Sequence, residues 1–136
     1  MMFQRNSAKA LIVDDAAFMR VVLKDIFVQN GLAAEVYEAG DGLMAVEAYK
    51  KYKPDIVTMD VNMPKADGVA ALKAIMQFDP KAKVVMVTSL EQKHIVQDAM
   101  KYGARDYVVK PFEKSRVGIV INKVLDRKST RLNSSH

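Results

Sequence analysis

The sequence predicts an α/β domain built on a doubly wound, five-stranded parallel sheet with five helices. Five short apolar runs rich in β-branched residues alternate with five amphipathic segments of helical length, an order typical of right-handed crossovers between parallel strands. Polar residues follow three of the apolar runs: Asp14 and Asp15 the first, Asp60 the third, and Lys110 the fifth. Because the carboxyl ends of parallel strands open onto one cleft, these groups should meet where ligands bind in such sheets.

The five strands are predicted from runs dominated by Val, Ile and other apolar residues, of which the second is the weakest. Their predicted ranges are 9–13, 34–38, 55–59, 83–88 and 105–109.

The five helices are predicted from apolar residues near helical spacing, with glycine or proline after several of them. Phe18, Val22, Ile26 and Phe27 lie near helical spacing on the first helix. Leu43, Val46 and Tyr49 share one face of the second. Pro and Gly predict a loop over residues 62–68. The predicted helical ranges are 16–30, 41–52, 69–78, 91–102 and 112–125.

The composition indicates one globular, cytoplasmic domain. The chain has 136 residues, half of them apolar, and no cysteine, which excludes a disulfide framework and a thiolate metal site. No apolar stretch approaches the ~18 residues of a membrane span, and the N-terminus lacks the apolar core of a signal peptide. The formal charge is +5, but no basic stripe interleaved with aromatic residues favours nucleic acid.

The C-terminal segment, residues 126–136, reads DRKSTRLNSSH. One reading frame of a common sequencing-adapter oligonucleotide encodes the same string, codon for codon. We therefore expect the natural domain to occupy residues 1–125 and the tail to be non-native, added where the reading frame was interrupted. Without the three basic residues and one acidic residue of the tail, the formal charge falls to +3.

The carboxylates of Asp14, Asp15 and Asp60 would repel one another in one cleft, so they need a cation at neutral pH. Neither histidine nor cysteine accompanies them, which disfavours soft metals. Oxygen ligands with room for water suit Mg²⁺. Taken alone, an Asp-Asp pair at a strand end is more often a helix N-cap or a solvated turn.

Lys110 and Thr88, at the ends of two other strands, add the groups that phosphoryl transfer requires. Lys110 supplies a compact positive charge and Thr88 a hydroxyl donor. With an aspartate nucleophile and a metal ion, they would complete such a site. A single Lys-Pro is usually a surface turn and a single strand threonine is ordinary. Compatible groups at the ends of four strands favour the functional interpretation.

Four segments carry a specific resemblance: LIVDDAAFMR, DIVTMDVNMPKADG, VVMVTS and GARDYVVKPF. Together they resemble the receiver domain of two-component response regulators, in particular the stand-alone chemotaxis type, over about residues 8–125. The resemblance implies that residues 1–125 form a receiver domain with a flavodoxin-like sheet of strand order 2-1-3-4-5.

The resemblance also implies roles for the acidic residues. Asp60 would accept a phosphoryl group from a histidine kinase. Mg²⁺ would be held by Asp15, Asp60 and the main-chain carbonyl of Asn62, and Asp14 would act largely through water.

The remaining implied roles concern the phosphoryl group and its readout. Thr88 and Lys110 would contact the phosphoryl group, and Tyr107 matches the switch aromatic of the family. On phosphorylation, Thr88 would move toward the site and Tyr107 would turn inward. Asn62 and Leu90 occupy the positions that tune phosphate loss. Since Leu90 cannot orient a water molecule by hydrogen bonding, we predict slow self-dephosphorylation.

The output surface implied by the resemblance comprises the fourth helix, the fifth strand and the fifth helix. Its partners would be a chemotaxis-type sensor histidine kinase and the flagellar motor switch protein, with no direct contact to nucleic acid or membrane. The residues expected to be at least partly exposed on this surface are His94, Ile95, Gln97, Asp98, Lys101, Tyr107, Lys114 and Arg116.

The expected protein is a signalling domain rather than an enzyme, one that catalyses only its own phosphorylation and dephosphorylation. A first alternative is the N-terminal receiver of a truncated transcriptional response regulator. A second is an aspartyl-phosphate phosphatase, which usually carries an acid two residues after the nucleophile, where this chain has Asn62. A nucleotide-binding flavodoxin-like module is disfavoured because no glycine-rich phosphate loop follows the first strand.

Overall fold

The computed structural model describes residues 8–63 and 67–126. The strands are β1 (Lys9–Val13), β2 (Glu35–Ala39), β3 (Ile56–Asp60), β4 (Val84–Ser89) and β5 (Asp106–Lys110). The helices are α1 (Ala17–Gln29), α2 (Gly42–Tyr52), α3 (Gly68–Phe78), α4 (Lys93–Lys101) and α5 (Lys114–Leu125). All strand pairs are parallel, in the order β2-β1-β3-β4-β5, which confirms the predicted fold class and strand order.

Four of the five strands begin and end one residue later than the apolar runs indicate. Asp60, Ser89 and Lys110 are the last residues of their strands rather than the residues that follow them. Asp60 pairs with Val87, and Ser89 pairs with Lys110. The main chain makes the hydrogen bonds of a sheet, so a polar side chain does not end a strand. The sheet itself therefore holds these polar groups.

Three helices match their predicted bounds to within one residue, whereas α4 and α5 each begin two residues later than predicted. A 3₁₀ turn over Leu90–Gln92 precedes α4, so the α-helix begins at residue 93. The last helix begins at residue 114 rather than 112, because Phe112 packs against the core and Glu113 is the N-cap. Residues 64–66 of the predicted loop and residues 127–136 of the predicted tail lie outside the described residues, and the origin of that tail stays a prediction.

Of the residues at helical spacing on α1 and α2, Ile26, Phe27 and Tyr49 are buried, whereas Phe18 and Leu43 are not. Their exposed fractions are 75% and 63%. The buried stripe of α1 contains Leu23 and Ile26, and that of α2 contains Tyr49. Since successive residues of a helix lie about 100° apart, Phe18 and Leu43 point away from these stripes. Both lie in the first turn of their helix, at the edge of the sheet that carries the cleft.

Helices cover both faces of the sheet, as alternation along β3 illustrates. Val57 and Met59 belong to the core cluster formed with α2, α3 and α4. Ile56 belongs to the cluster formed with α1 and α5. Because side chains alternate along a strand, Thr58 and Asp60 point to the same face as Ile56. Asp60 thus leaves the sheet on the side of α1 and α5.

Gly68 fixes the approach of α3 to the end of β3. A Cβ atom at this position would lie 2.0 Å from the main-chain oxygen of Asp60, so any side chain here would force the main chain to shift. Asp67 caps the same helix by accepting a hydrogen bond from the main-chain N–H of Ala70 at 2.8 Å. The cleft is therefore closed on this side by tight main-chain packing. Within residues 8–63 and 67–126, no helix combines the length and hydropathy that crossing a bilayer requires.

Candidate functional site

Three carboxylates meet at the carboxyl edge of the sheet. Asp14 and Asp15 follow β1, and Asp60 ends the adjacent strand β3. One oxygen from each of these carboxylates can be chosen so that all three lie within 4.8 Å of one another. The three acidic residues singled out from the sequence therefore form one cluster.

Burial distinguishes these carboxylates. Asp14 is 1% exposed and Asp60 is 5% exposed, whereas Asp15 is exposed to solvent. The cleft thus has two carboxylates set into the protein and a third at its mouth. This difference arises from the fold and is invisible in the sequence Asp-Asp.

Asp14 is held in place by contacts on several sides. Its main-chain N–H donates to the carbonyl of Ala39 at 3.1 Å. Its Oδ1 accepts a hydrogen bond from the N–H of Ala16 at 2.9 Å, and its Oδ2 lies 3.4 Å from Nζ of Lys110. The bond from Ala16 is a local turn rather than a helix cap, because the N-cap of α1 is Ala16, whose side chain makes no capping bond.

Lys110 connects the two buried carboxylates. Its Nζ lies 3.4 Å from Asp14 Oδ2 and 3.6 Å from Asp60 Oδ1, and its side chain is 27% exposed. The lysine therefore reaches across β4 to the acidic cluster while remaining accessible from the cleft. Within residues 8–63 and 67–126, the ammonium group of Lys110 is the one that pairs with these three carboxylates, which leaves them an excess of negative charge.

The titration of Asp60 reflects this charge imbalance. Burial raises the pKa of Asp60 from its ordinary value of 3.8 to about 6, and the negative charge of Asp14 adds to the increase. Lys110 and the main-chain N–H of Asn62 oppose the increase only in part. A bound cation would stabilise the ionised form further. The donors are carboxylate oxygens without histidine or cysteine, so the cluster fits Mg²⁺.

Asn62, Thr88 and Tyr107 lie around this cluster in different ways. The N–H of Asn62 donates to Asp60 Oδ1 at 3.3 Å, which places its main chain beside the carboxylate. The buried hydroxyl of Thr88 donates to the carbonyl of Ser89 at 3.0 Å and so makes a local bond. Tyr107 is half-buried on β5, and Nζ of Lys93 lies 5.7 Å from the centre of its ring.

The expected output surface is accessible. All eight residues predicted there are exposed or partly exposed. Tyr107 lines two grooves on this surface, one beside α4 with His94 and Gln97, and the other beside α5 with Phe112 and Arg116. Its ring therefore stands between two surfaces that a partner could contact.

Sequence reasoning missed two residues that shape the cluster, Gly68 and Arg20. A glycine as the first residue of a helix, directly after the loop that follows Asp60, was a usable signal for a close main-chain approach. The guanidinium of Arg20 donates to the carbonyl of Asp14 at 2.7 Å. No spacing rule applied to the sequence pointed to that contact.

Comparisons with known proteins agree with this geometry. Residues 10–122 match the family model of the response regulator receiver domain. The chain is 51% identical to the chemotaxis protein CheY of Bacillus subtilis over 118 residues, which cover 87% of this chain and 98% of that protein.

Two solved structures show the same fold. The response regulator domain of Thermotoga maritima CheB is 39% identical, with a TM-score of 0.77 over 88% of this chain and 94% of that one. The crystal structure of the CheX-CheY-BeF3-Mg+2 complex from Borrelia burgdorferi contains a chain 35% identical to this one. Its TM-score is 0.76 over 89% of this chain and 88% of that chain.

Proposed function

The chain belongs to the response regulator receiver domain family, and on that premise we propose that Asp60 accepts a phosphoryl group from the phosphohistidine of a sensor kinase. The observation that carries the proposal is the position of Asp60. Its carboxylate is buried at the end of a central strand, with Nζ of Lys110 3.6 Å away and the carboxylates of Asp14 and Asp15 beside it.

Asp60 is suited to act as a nucleophile. With a pKa of about 6, roughly nine molecules in ten carry it as a carboxylate at pH 7. A carboxylate oxygen would attack phosphorus, forming an O–P bond while the P–N bond to the imidazole breaks. The imidazole nitrogen leaves with the electron pair and takes its proton from solvent. The product is an aspartyl phosphate, which water later hydrolyses.

The neighbouring groups would neutralise and hold the phosphoryl oxygens. Lys110 already lies between Asp14 and Asp60 and can donate to an added phosphoryl oxygen. Thr88 would exchange its bond to its neighbour's carbonyl for one to the phosphoryl group. When bound by Asp15, Asp60 and the main-chain carbonyl of Asn62, with Asp14 acting through water, Mg²⁺ would supply positive charge to the transferring phosphoryl group.

We further propose that this signal belongs to chemotaxis. The proposed partners are a chemotaxis-type histidine kinase and the flagellar motor switch protein, and the proposed location is the cytoplasm. Support comes from the 51% identity to a chemotaxis protein and from the grooves on either side of Tyr107. Rearrangement of Thr88 on phosphorylation would make room for Tyr107 to turn inward, changing the shape of both grooves.

A second candidate is a receiver that serves an attached output domain. The similar domain of Thermotoga maritima CheB is described as the response regulator domain of that protein, so this fold also serves longer chains. Genomic sequence beyond codon 125 distinguishes the two. A stop codon supports the stand-alone regulator, and an in-frame output domain supports the second candidate.

The acceptor is tested by intact mass after incubation with Mg²⁺ and acetyl phosphate. We expect the wild type to gain the mass of one phosphoryl group and Asp60→Asn to gain none. Asp25→Asn is the matched control, because Asp25 is a 40% exposed carboxylate on α1 and should leave the gain intact. A one-phosphate gain that persists in Asp60→Asn would overturn the assignment.

A further inference from the structure

We infer that Arg20 is a positioning residue for the acidic cluster, holding the main chain between Asp14 and Asp15 in the conformation that binds Mg²⁺. The inference rests on the proposed function, which supplies the identity of the cation. Arg20 closes the first turn of α1, and its guanidinium bridges two acceptors. Its Nη1 donates to the carbonyl of Asp14 at 2.7 Å, and its Nε donates to Oε1 of Glu38 at 2.9 Å.

The carbonyl that Arg20 contacts belongs to the peptide unit joining the two aspartates. A peptide unit is planar, so fixing its oxygen also fixes the N–H of Asp15 and the direction in which the next residue leaves. The N–H and the carboxylate of Asp14 are held by Ala39 and Ala16. Among the described residues, the guanidinium is the side-chain group that donates to the peptide unit itself. Arg20 therefore sets the orientation of the exposed ligand Asp15.

Glu38 explains how the positively charged side chain of Arg20 can lie beside a cluster that binds Mg²⁺. An unpaired guanidinium at this position would repel Mg²⁺. Glu38, at the carboxyl end of the edge strand β2, pairs with Arg20 at 2.9 Å and compensates its charge, and the two side chains are 21% and 37% exposed. The rigid fork of arginine can satisfy both acceptors at once, which a lysine ammonium matches poorly.

Loss of Arg20 should weaken Mg²⁺ binding. Residues that orient metal ligands typically change metal affinity by 10–100-fold when removed. Because Arg20 is partly exposed and water can replace its bond to the carbonyl, we expect about a tenfold increase in the Mg²⁺ dissociation constant, at the lower end of that range. Repulsion alone predicts the opposite direction, since removing a positive charge would tighten binding.

The test compares Mg²⁺ affinity, measured by titration calorimetry, across four variants of the full chain. Arg20→Met removes the donors and the charge. Arg20→Met combined with Glu38→Gln removes both charges and leaves the net charge unchanged. Arg20→Lys keeps the positive charge but lacks the planar guanidinium that reaches both acceptors. Lys24→Met is the matched control, because it removes an exposed positive charge from the same helix.

We expect about tenfold weaker binding in Arg20→Met and in the double variant, about threefold in Arg20→Lys, and an unchanged constant in Lys24→Met. The amide resonance of Asp15 should shift in all three Arg20 variants. A merely structural role would lower the free energy of unfolding without changing the affinity of folded molecules. If Arg20→Met does not fold, the Mg²⁺ affinity of Arg20→Lys is the deciding measurement. An affinity equal to that of the wild type would then overturn the inference.

Two further outcomes would contradict the proposed role. Wild-type affinity in the double variant would show that only charge matters and would overturn the positioning role. Unchanged affinity in Arg20→Met, in a wild type that does bind Mg²⁺, would refute the role of Arg20 and leave the proposed function standing. A wild type with no Mg²⁺ affinity would refute both.

Discussion

The raised pKa of Asp60 predicts that the proposed phosphoryl acceptor destabilises the fold in the absence of metal. In the unfolded chain this carboxyl should titrate near 3.8, and in the folded protein its pKa is about 6. The folded state therefore binds the proton more tightly, and the stability associated with the protonated form is lost as pH rises between these values. Asp60→Asn should remove this loss, and the variant should be the more stable protein above pH 6.

The size of the effect follows from the two pKa values. The difference between 3.8 and about 6 sets an upper limit of about 3 kcal/mol on the destabilisation at pH 7. Water in the open cleft screens part of it, so we expect about 1 to 2 kcal/mol. Lys110 keeps its contact with Asp14 at 3.4 Å in the variant, so the substitution leaves this ammonium with a partner. Below about pH 4 the advantage of the variant should disappear.

The assay is urea unfolding of both proteins from pH 4 to pH 8 in EDTA, repeated with Mg²⁺. In EDTA the free energies of unfolding should diverge between pH 4 and pH 6 and then run parallel. Saturating Mg²⁺ should stabilise the wild type selectively, because the ion binds its folded, ionised form. Asp25→Asn should show no such divergence. Parallel profiles for wild type and Asp60→Asn over the whole range would refute the electrostatic reasoning.

Three further predictions concern single positions. Leu90 is 70% exposed, and Leu90→Glu should shorten the lifetime of the phosphorylated protein by up to about 10²-fold, as a positioned polar group can orient water; an unchanged or longer lifetime would contradict this. Gly68→Ala should cost about 1 to 3 kcal/mol in urea unfolding and weaken Mg²⁺ binding, because its Cβ would lie 2.0 Å from the main-chain oxygen of Asp60; wild-type values for both would contradict the packing argument. Gly118→Ala should stabilise α5 by up to about 1 kcal/mol, because its Cβ would only reach ordinary contact with Asn30 at 3.6 Å; a lower melting temperature would show a packing constraint.

The residues that form the cleft could be predicted from the sequence because they stand at the ends of strands. The polar residues at the ends of the apolar runs predicted that their side chains meet at one edge of the sheet. The structure confirms this for Asp14, Asp15, Asp60 and Lys110. Because strand direction and alternation are local properties of the chain, they are readable without coordinates. The roles of these residues, and those of Thr88, Asn62 and Tyr107, stay proposals.

Other features depended on which surfaces meet in three dimensions. Phe18 and Leu43 have helical spacing with apolar neighbours, yet both are exposed, because the direction of each helix on the sheet decides which residues are covered. The contact between Arg20 and the carbonyl of Asp14 depends on how α1 leaves β1, which no residue pattern encodes alone.

The sequence by itself determined the fold class and the membership of the acidic cluster, which follow from periodicity and from the residues at strand ends. The strand order came from its family resemblance. Only the tertiary structure decided that Asp14 and Asp60 are buried while Asp15 is exposed, and that the pKa of Asp60 is therefore raised. Burial and electrostatic interaction depend on distances between residues far apart in the chain. Two adjacent aspartates with the same chemistry thus acquire different environments once the sheet and its helices have assembled.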